Sequence, residues 1–263
     1  MIEEIIINPI GVIRSSRTYR YESPRQGVLR GGNQSIIELN PHKNFEQALQ
    51  DLAGFERIWV IYWFHLNHSW KPMVNPPRNS SKKRGVFATR SPHRPNNIGI
   101  SSVKLEKVDG LKIFISESDI LDGSPVLDIK PYLPYSDAFP DAQTGWLLNE
   151  SDNEYTIYYE TEAQKQIDWL RENSKIELEN FIGLQLEYNP KDNKKKRIFK
   201  DSSCYVLAYR TWRIFYSIKE DDKIVVVKYI ASGYTEEELE KNIDDKYMDK
   251  SLHKDFIKKF INR

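Results

Sequence analysis

The sequence predicts an α+β protein: an N-terminal β-barrel domain over residues 1–150 and a small α+β domain over residues 151–263. Three observations predict it. Short β-branched runs broken by Pro and Gly fill the first half, with one helical pattern among them; short strands of this kind close into barrels. After about residue 150, helical periodicity alternates with strand-like runs. No G-x-G-x-x-G and no G-x-x-x-x-G-K-[ST] occurs anywhere in the chain, so a Rossmann sheet or a P-loop has no support.

The elements follow in order. Ile5–Ile13 is a β-branched run interrupted by Pro9 and Gly11. Asn44 reads as a helix cap, Gln47 completes a capping box, Leu49 and Leu52 supply the apolar side, and Gly54 ends the helix. Arg57–Leu66 is apolar throughout and reads as a strand buried on both faces. Ile100–Val108 and Leu111–Ser118 flank Asp109-Gly110, a hairpin signal because a type I′ turn needs positive φ. Val103, Leu105, Ile113 and Ile115 alternate with polar residues, leaving one face wet.

Asn149–Asn153 is polar and reads as the linker. Thr161 and Gln164 open a helix carrying Ile167 and Leu170, and a second helix runs to Gly183. Lys191–Arg197 reads as a basic loop, and Cys204–Ile218 with Lys223–Ile230 as a hairpin around Asp221-Asp222. Thr235 with Glu238 starts one C-terminal helix, and Ser251 starts the last, with Phe256 and Phe260 four apart.

Composition excludes several classes. At 263 residues and 39% hydrophobic, the chain has the apolar material for a core, which excludes a disordered chain. The single cysteine, Cys204, forms no internal disulfide and fits a reducing, cytoplasmic compartment. The start, MIEEIIINPIG, is acidic where a secretory signal is basic, and the apolar run Ile58–Phe64 is far short of the ~20 residues of a membrane span. His65 and His68 lack a third ligand, so no metal is expected. No G-x-S-x-G elbow is present.

Charge is balanced overall, 39 Lys and Arg against 38 Asp and Glu, but it is segregated. Residues 71–104 carry eight basic and no acidic side chains, interleaved with Pro72, Pro76, Pro77, Pro92 and Pro95. Residues 105–150 carry nine acidic against three basic. Proline fixes φ and stiffens these loops. A stiff basic loop can hold a polyanion, and an acidic stretch beside it can face a cation; a solvated surface loop is the plainer reading.

Four segments together are more specific than any one: Pro24-Arg25-Gln26; the run from Gly85 to Ser101 (GVFATRSPHRPNNIGIS); Asp119 to Val126 (DILDGSPV); and Asp128 to Pro134 (DIKPYLP). In this order they resemble the TsaA-like (TrmO-type) tRNA threonylcarbamoyladenosine methyltransferase family, strongly over about residues 7–148 and weakly beyond. The resemblance implies a non-Rossmann β-barrel that binds S-adenosylmethionine (SAM). It implies a homodimer with the cofactor near the subunit interface. Its substrate is threonine tRNA, methylated on the exocyclic nitrogen of threonylcarbamoyladenosine beside the anticodon.

Carried over by position, the cofactor contacts fall on Pro24, Arg25, Gln26, His65, Leu66, Arg90, Ile100, Leu121, Asp122, Gly123 and Ser124. Leu66 stands where the bacterial pattern often has Gln, and Asn97 where Pro is frequent. Asn189 stands where Asp is common and Lys191 where Arg is common, so the C-terminal RNA contact departs from the pattern.

These residue types suit the ligand. Arg25 or Arg90 can fork onto a carboxylate. Asp119, Asp122 and carbonyls around Gly123 can face a sulfonium, and Leu66, Ile100 and Leu121 can line an adenine slot. The acceptor nitrogen is delocalised and needs a base, for which Asp119, Asp122, Asp137, Tyr132 and His65 are all candidates. Lys82, Lys83, Arg84, Arg94, Lys130, Lys194, Lys195, Lys196 and Arg197 are candidate RNA contacts, with Arg94, Lys130 or Lys82–Arg84 also able to meet the threonyl carboxylate. Arg90 and Arg94 could instead pair with Asp119 or Asp128. Tyr132 and Tyr135 could plug the barrel end, and Trp59, Trp63 and Trp70 fit core or rim. A non-catalytic SAM- or RNA-binding barrel, or a methyltransferase with another acceptor, are the alternative functions.

Overall fold

The computed structural model describes residues 5–20, 22, 34–76, 82–149, 154–174, 176–193, 196–201, 204–241 and 245–260. Pro24, Arg25, Gln26, Lys194, Lys195 and most of the linker therefore lie outside the described residues. The chain divides into two compact units, Met1–Glu150 and Ser151–Arg263.

The first unit contains strands β1 (Gly11–Ser15), β2 (Ser35–Leu39), β3 (Arg57–Trp63), β4 (Met73–Val74), β5 (Arg84–Gly85), β6 (Ile98–Asp109), β7 (Lys112–Ser116) and β8 (Pro125–Pro131), and short helices α1 (Phe45–Ala48) and α2 (Pro134–Asp137). Six strands close a barrel in the order β1-β2-β7-β6-β3-β8, every neighbour antiparallel. Closure removes sheet edges and turns every second residue inward. Ile13, Ile37, Ile58, Val60, Val103, Ile113, Ile115 and Val126 fill the interior accordingly.

The Asp109-Gly110 hairpin forms, with Asp109 opposite Lys112 and Gly110 at φ 55°. Three readings change. Ile5–Ile7 stay exposed and β1 begins only at Gly11, because Pro9 withholds a ladder donor. β3 is buried on one face, not both: its outer row, Trp59, Ile61 and Trp63, is half-buried or exposed. The helix after Asn44 is a single turn followed by a 3-10 turn at Leu52–Gly54. Asn44 sits at φ 58° and its amide donates to Gln47 Oε1 rather than capping the backbone, and Asp51 at φ 63° breaks the helix.

The second unit contains β9 (Thr156–Tyr159), α3 (Thr161–Ser174), α4 (Leu178–Leu186), β10 (Ile198–Asp201), β11 (Cys204–Tyr209), β12 (Trp212–Lys219), β13 (Ile224–Ser232), α5 (Glu236–Glu240) and α6 (Lys250–Phe260). Its sheet runs β10-β11-β12-β13-β9, with β9 parallel to β13. Cys204–Ile218 is thus a hairpin turning at Arg210-Thr211, not one strand, and α4 runs past Gly183 to Leu186. The Thr235–Glu238 capping box is present in full. Where β9 stops, Gln166 Oε1 accepts from the Ile230 amide at 2.6 Å and replaces the missing ladder partner. Among the described residues no helix is long and apolar enough to cross a membrane.

Candidate active site

Strand direction decides where the signature segments meet. The connections β1 to β2, β3 to β6 and β7 to β8 all emerge at one mouth of the barrel, because neighbouring strands are antiparallel. The described residues of those connections are 16–20, 22, 34, 64–76, 82–97 and 117–124. The Gly85–Ser101 and Asp119–Val126 segments therefore meet at one mouth.

The acidic turn is anchored from below by β1. Asp122 Oδ1 accepts from the Ser15 amide at 2.9 Å, the Asp122 amide donates to Arg17 O at 2.8 Å, and the Gly123 amide donates to Ile13 O at 2.9 Å. Gly123 holds φ 74°, which a side chain would strain. His65 leans over this turn: its Nδ1 lies 3.2 Å from Ser124 Oγ, and Nε2 lies 3.6 Å from where a Cβ on Gly123 would stand. Burial pulls the His65 pKa below the ordinary histidine range, Asp122 pulls it back up, and Arg20 lowers it further. The net shift favours the neutral imidazole.

Beside the turn, Ser101 Oγ on β6 donates to Asp119 Oδ1 at 2.5 Å, with Tyr62 Oη 3.5 Å from the same Ser101 oxygen. Burial raises the Asp119 pKa; the Ser101 bond, the Asp119 backbone, Arg17 and Arg90 oppose that rise. Arg17 is 3% exposed, and its Nη2 donates to Ser35 Oγ at 2.7 Å. The mouth thus holds a neutral imidazole, two carboxylates, a glycine cradle and two guanidiniums. Those groups suit SAM: carboxylates for a sulfonium, guanidinium for its carboxylate, and open backbone for a close approach.

Residues 12–138 match the tRNA-methyltransferase O N-terminal domain family. The chain is 37% identical over 166 residues to the tRNA (adenine(37)-N6)-methyltransferase of Escherichia coli (strain K12), covering 60% of this chain and 70% of that protein. It is 39% identical over 163 residues to a putative S-adenosylmethionine-dependent methyltransferase, RcsF, of Pseudomonas aeruginosa, covering 61% of this chain and 68% of that one. This chain belongs to the tRNA-methyltransferase O family. A crystal structure of TrmO from Pseudomonas aeruginosa superposes with a TM-score of 0.64 at 28% identity, covering 88% of this chain and 99% of that one.

Within this tRNA-methyltransferase O barrel, the structure gathers His65, Asp119, Asp122, Gly123 and Ser124, and Arg90 acts electrostatically on Asp119. Leu66 and Leu121 sit half-buried in the same mouth loops. Ile100 does not join the inward cluster: it is 58% exposed on the outer face, opposite in direction to Ser101. Tyr132 lies beyond the far end of β8, where its amide donates to Arg57 O at 3.1 Å and its ring packs on Trp59. It is therefore not a base in this cluster. Asp137 is there too, accepting from Trp59 Nε1 and the Leu133 amide, each at 2.9 Å; these bonds lower its pKa and give it a structural role. Tyr135 is exposed and plugs nothing.

The RNA candidates divide likewise. Lys82 and Lys83 are exposed, and Arg84 lies 5.0 Å over the Trp146 ring. Arg94 Nη1 donates to Val86 O at 3.3 Å and Thr89 O at 3.0 Å, so that nitrogen braces the loop instead of meeting phosphate. The same loop is tied by Asn97 Nδ2 to Asn67 O at 2.7 Å, and the Asn67 side chain returns a 3.2 Å bond to Asn97 Oδ1. That reciprocal pair is what asparagine at 97 supplies. Lys130 pairs with Asp128 at 2.9 Å on the outer surface and is not at the mouth. Lys196 is also corrected: its Nζ donates to Gln185 O at 2.5 Å, Asn189 O at 3.0 Å and Tyr188 O.

Arg17, Tyr62 and Ser101 carried no assigned role in the sequence. A signal for Arg17 exists: it falls on the inward period-two row Gly11, Ile13, Ser15, Arg17 of β1 and its extension.

Proposed function

We propose that this chain is a SAM-dependent tRNA methyltransferase that methylates the exocyclic N6 of adenine 37. The finer reading is threonylcarbamoyladenosine as acceptor, in threonine tRNA, by a homodimer. What carries it is the convergence of His65, the Asp119–Ser124 turn and Arg90 at one barrel mouth, in a chain 37% identical over 166 residues to a tRNA (adenine(37)-N6)-methyltransferase.

SAM supplies the methyl group by in-line displacement at carbon, with positive charge leaving sulfur. Pro24, Arg25, Gln26, His65, Leu66, Arg90, Leu121, Asp122, Gly123 and Ser124 are the proposed holding residues. Asp122 is fixed by Ser15, so its carboxylate stays in place as a negative neighbour for the sulfonium. The acceptor N6 carries one proton and a lone pair delocalised into purine and carbonyl. We assign Asp119 the removal of that proton, because burial makes its carboxylate more basic and Ser101 orients it. The proton ends on Asp119 and the lone pair forms the N–CH3 bond. Keeping His65 neutral avoids a second cation beside the sulfonium.

The test is mass spectrometry of nucleosides from threonine tRNA, in cells with and without the gene and after incubation of purified protein with SAM. A mass gain of one methyl on threonylcarbamoyladenosine, dependent on the protein, is expected. Tight SAM binding with no new methylated nucleoside would overturn the enzymatic reading in favour of a non-catalytic module.

A further inference from the structure

The long connection after β3 carries two of the proposed cofactor contacts, His65 and Leu66, side by side. They are the two central residues of one turn, because the Asn67 amide donates to Phe64 O at 2.9 Å. Leu66 has no polar side-chain atom, so only the turn's backbone can offer a ligand hydrogen bonds there. His65 offers its ring, which stands over Gly123 and Ser124. Both contributions depend on where the turn as a whole is held.

Asn97 grips that turn at both ends. Its carbonyl accepts from the Phe64 amide at 2.8 Å, and its side-chain Nδ2 donates to Asn67 O at 2.7 Å. Phe64 is fixed further by packing. Its ring stands edge-on to the buried Tyr62, and a Cβ on Gly99 would come within 2.9 Å of it.

At the other end of the turn, Asn67 is buried. Its Nδ2 lies 2.8 Å from Ser69 O, 2.9 Å from Pro92 O and 3.2 Å from Asn97 Oδ1. An amide nitrogen has two hydrogens, so these three acceptors already exceed what it can donate. Nothing is left on that nitrogen for a ligand. Pro92 lies two residues past Arg90. The same side chain therefore ties the His65 turn to the stretch carrying the guanidinium that acts on Asp119.

We infer that the Asn67–Asn97 pair is the positioning device of this corner of the pocket, fixing the turn that presents His65 and Leu66 to SAM. The inference rests on the reading of the barrel mouth as a SAM site. Half of the grip is specific to asparagine. The proline frequent at this place in the family's pattern has a carbonyl for Phe64 and no amide for Asn67.

Asn97→Ala removes that half and leaves Asn67 Nδ2 with Ser69 O and Pro92 O for its two hydrogens, so no buried donor is stranded. Asn97→Ser, too short to reach the Asn67 carbonyl, is the second variant. One hydrogen bond shifts an equilibrium by about 2- to 12-fold, and a turn held in place that much less often binds ligand that much more weakly. Calorimetry on the full chain is expected to show this loss of SAM affinity in both variants.

The second readout needs no ligand. It is the NMR titration of the His65 imidazole, identified by its absence in His65→Gln. Burial lowers the pKa of this ring most; of the charged groups acting on it, Asp122 raises it and Arg20 lowers it. A ring no longer held in place regains water, so its titration is expected to move up toward about 6.5 in both variants. Wild-type SAM affinity in both variants would overturn the inference, whatever happens to the melting temperature. Weaker binding with the His65 titration unmoved would overturn it too, since the loss would not run through the turn. If the titration moves but even the wild-type protein binds no SAM, the pair still positions His65 and the SAM reading falls.

Discussion

Ser101 Oγ donates a 2.5 Å hydrogen bond to Asp119 Oδ1, tying the strand that ends the long basic signature to the acidic turn. The bond crosses from β6 to the connection after β7, so it closes one side of the barrel mouth. Burial raises the Asp119 pKa in spite of this bond. A carboxyl raised on folding holds its proton more tightly in the folded state, so it adds stability below the ordinary carboxylate range. That contribution is lost as pH climbs from about 4 through the raised value. Asp119→Asn keeps an acceptor for Ser101 and removes the titration. Its melting temperature minus that of wild type should therefore increase with pH between about pH 4 and 8. A pH-independent difference would contradict the raised pKa. In methyl-transfer assays the same variant should lose about 10²- to 10⁴-fold in kcat, with SAM affinity within about twofold of wild type.

His65 gives a second pH signature of opposite form. Burial depresses its pKa, so the folded protein prefers the neutral ring. Folding stability from this group is full above the unfolded histidine value of about 6.5 and is lost as pH falls through the depressed one. Ligand binding should follow the same direction, since an imidazolium beside a sulfonium repels it. Calorimetry of SAM binding should give constant affinity from about pH 7 to 8 and weaker binding toward pH 5. His65→Gln should flatten that profile. Equal wild-type affinity at pH 5 and 7.5 would place His65 away from the ligand.

What could be read in the sequence is what local chemistry specifies. Asp109-Gly110 and the Thr235–Glu238 box work within a few residues, and both form. Asn44 failed as a cap because its own backbone enters the left-handed region, which propensity alone does not reveal. The apolar outer row of β3 looked buried because Trp59 is covered from a distance, by Tyr132 and Asp137. Membership of the site was legible for His65 and the Asp119–Ser124 turn, which lie in motifs. Tyr132 also lies in a motif but falls at the opposite end, since only strand pairing shows which motif residues share a mouth. Arg17 continues the period-two row of β1, whereas Tyr62 became visible only once barrel closure turned its row inward.

Gly99 tests how tightly that mouth is packed. A Cβ there would meet the Tyr62 ring at 2.5 Å and Phe64 at 2.9 Å. Tyr62 cannot swing away freely, because it is buried and packs edge-on against Phe64 with centroids 5.1 Å apart. Overpacking of this kind costs about 1–3 kcal/mol. Gly99→Ala should lower the denaturation midpoint by that amount and displace the Tyr62 hydroxyl from Ser101, weakening catalysis beyond the loss of stability. Double substitution with Tyr62→Phe should not restore folding, because the ring itself is the obstacle. Tyr62→Leu should relieve it in part. Unchanged stability in Gly99→Ala would show that Tyr62 yields at little cost.

Lys196 and Arg197 are neighbours in one basic run, yet their expected behaviour is opposite. The Lys196 ammonium caps carbonyls at and just past the end of α4, where helix carbonyls lack intrahelical partners and cations are favoured. Lys196→Gln should cost about 1.5–3 kcal/mol of stability in the second unit, the usual worth of hydrogen bonds to a charged group. It should leave the salt dependence of tRNA binding as in wild type once folded protein is measured. Arg197→Gln should lower the salt slope. Denaturation curves and anisotropy titrations on the same two proteins separate the effects. A reduced slope in Lys196→Gln, without loss of stability, would return Lys196 to the phosphate contacts and undo the capping role.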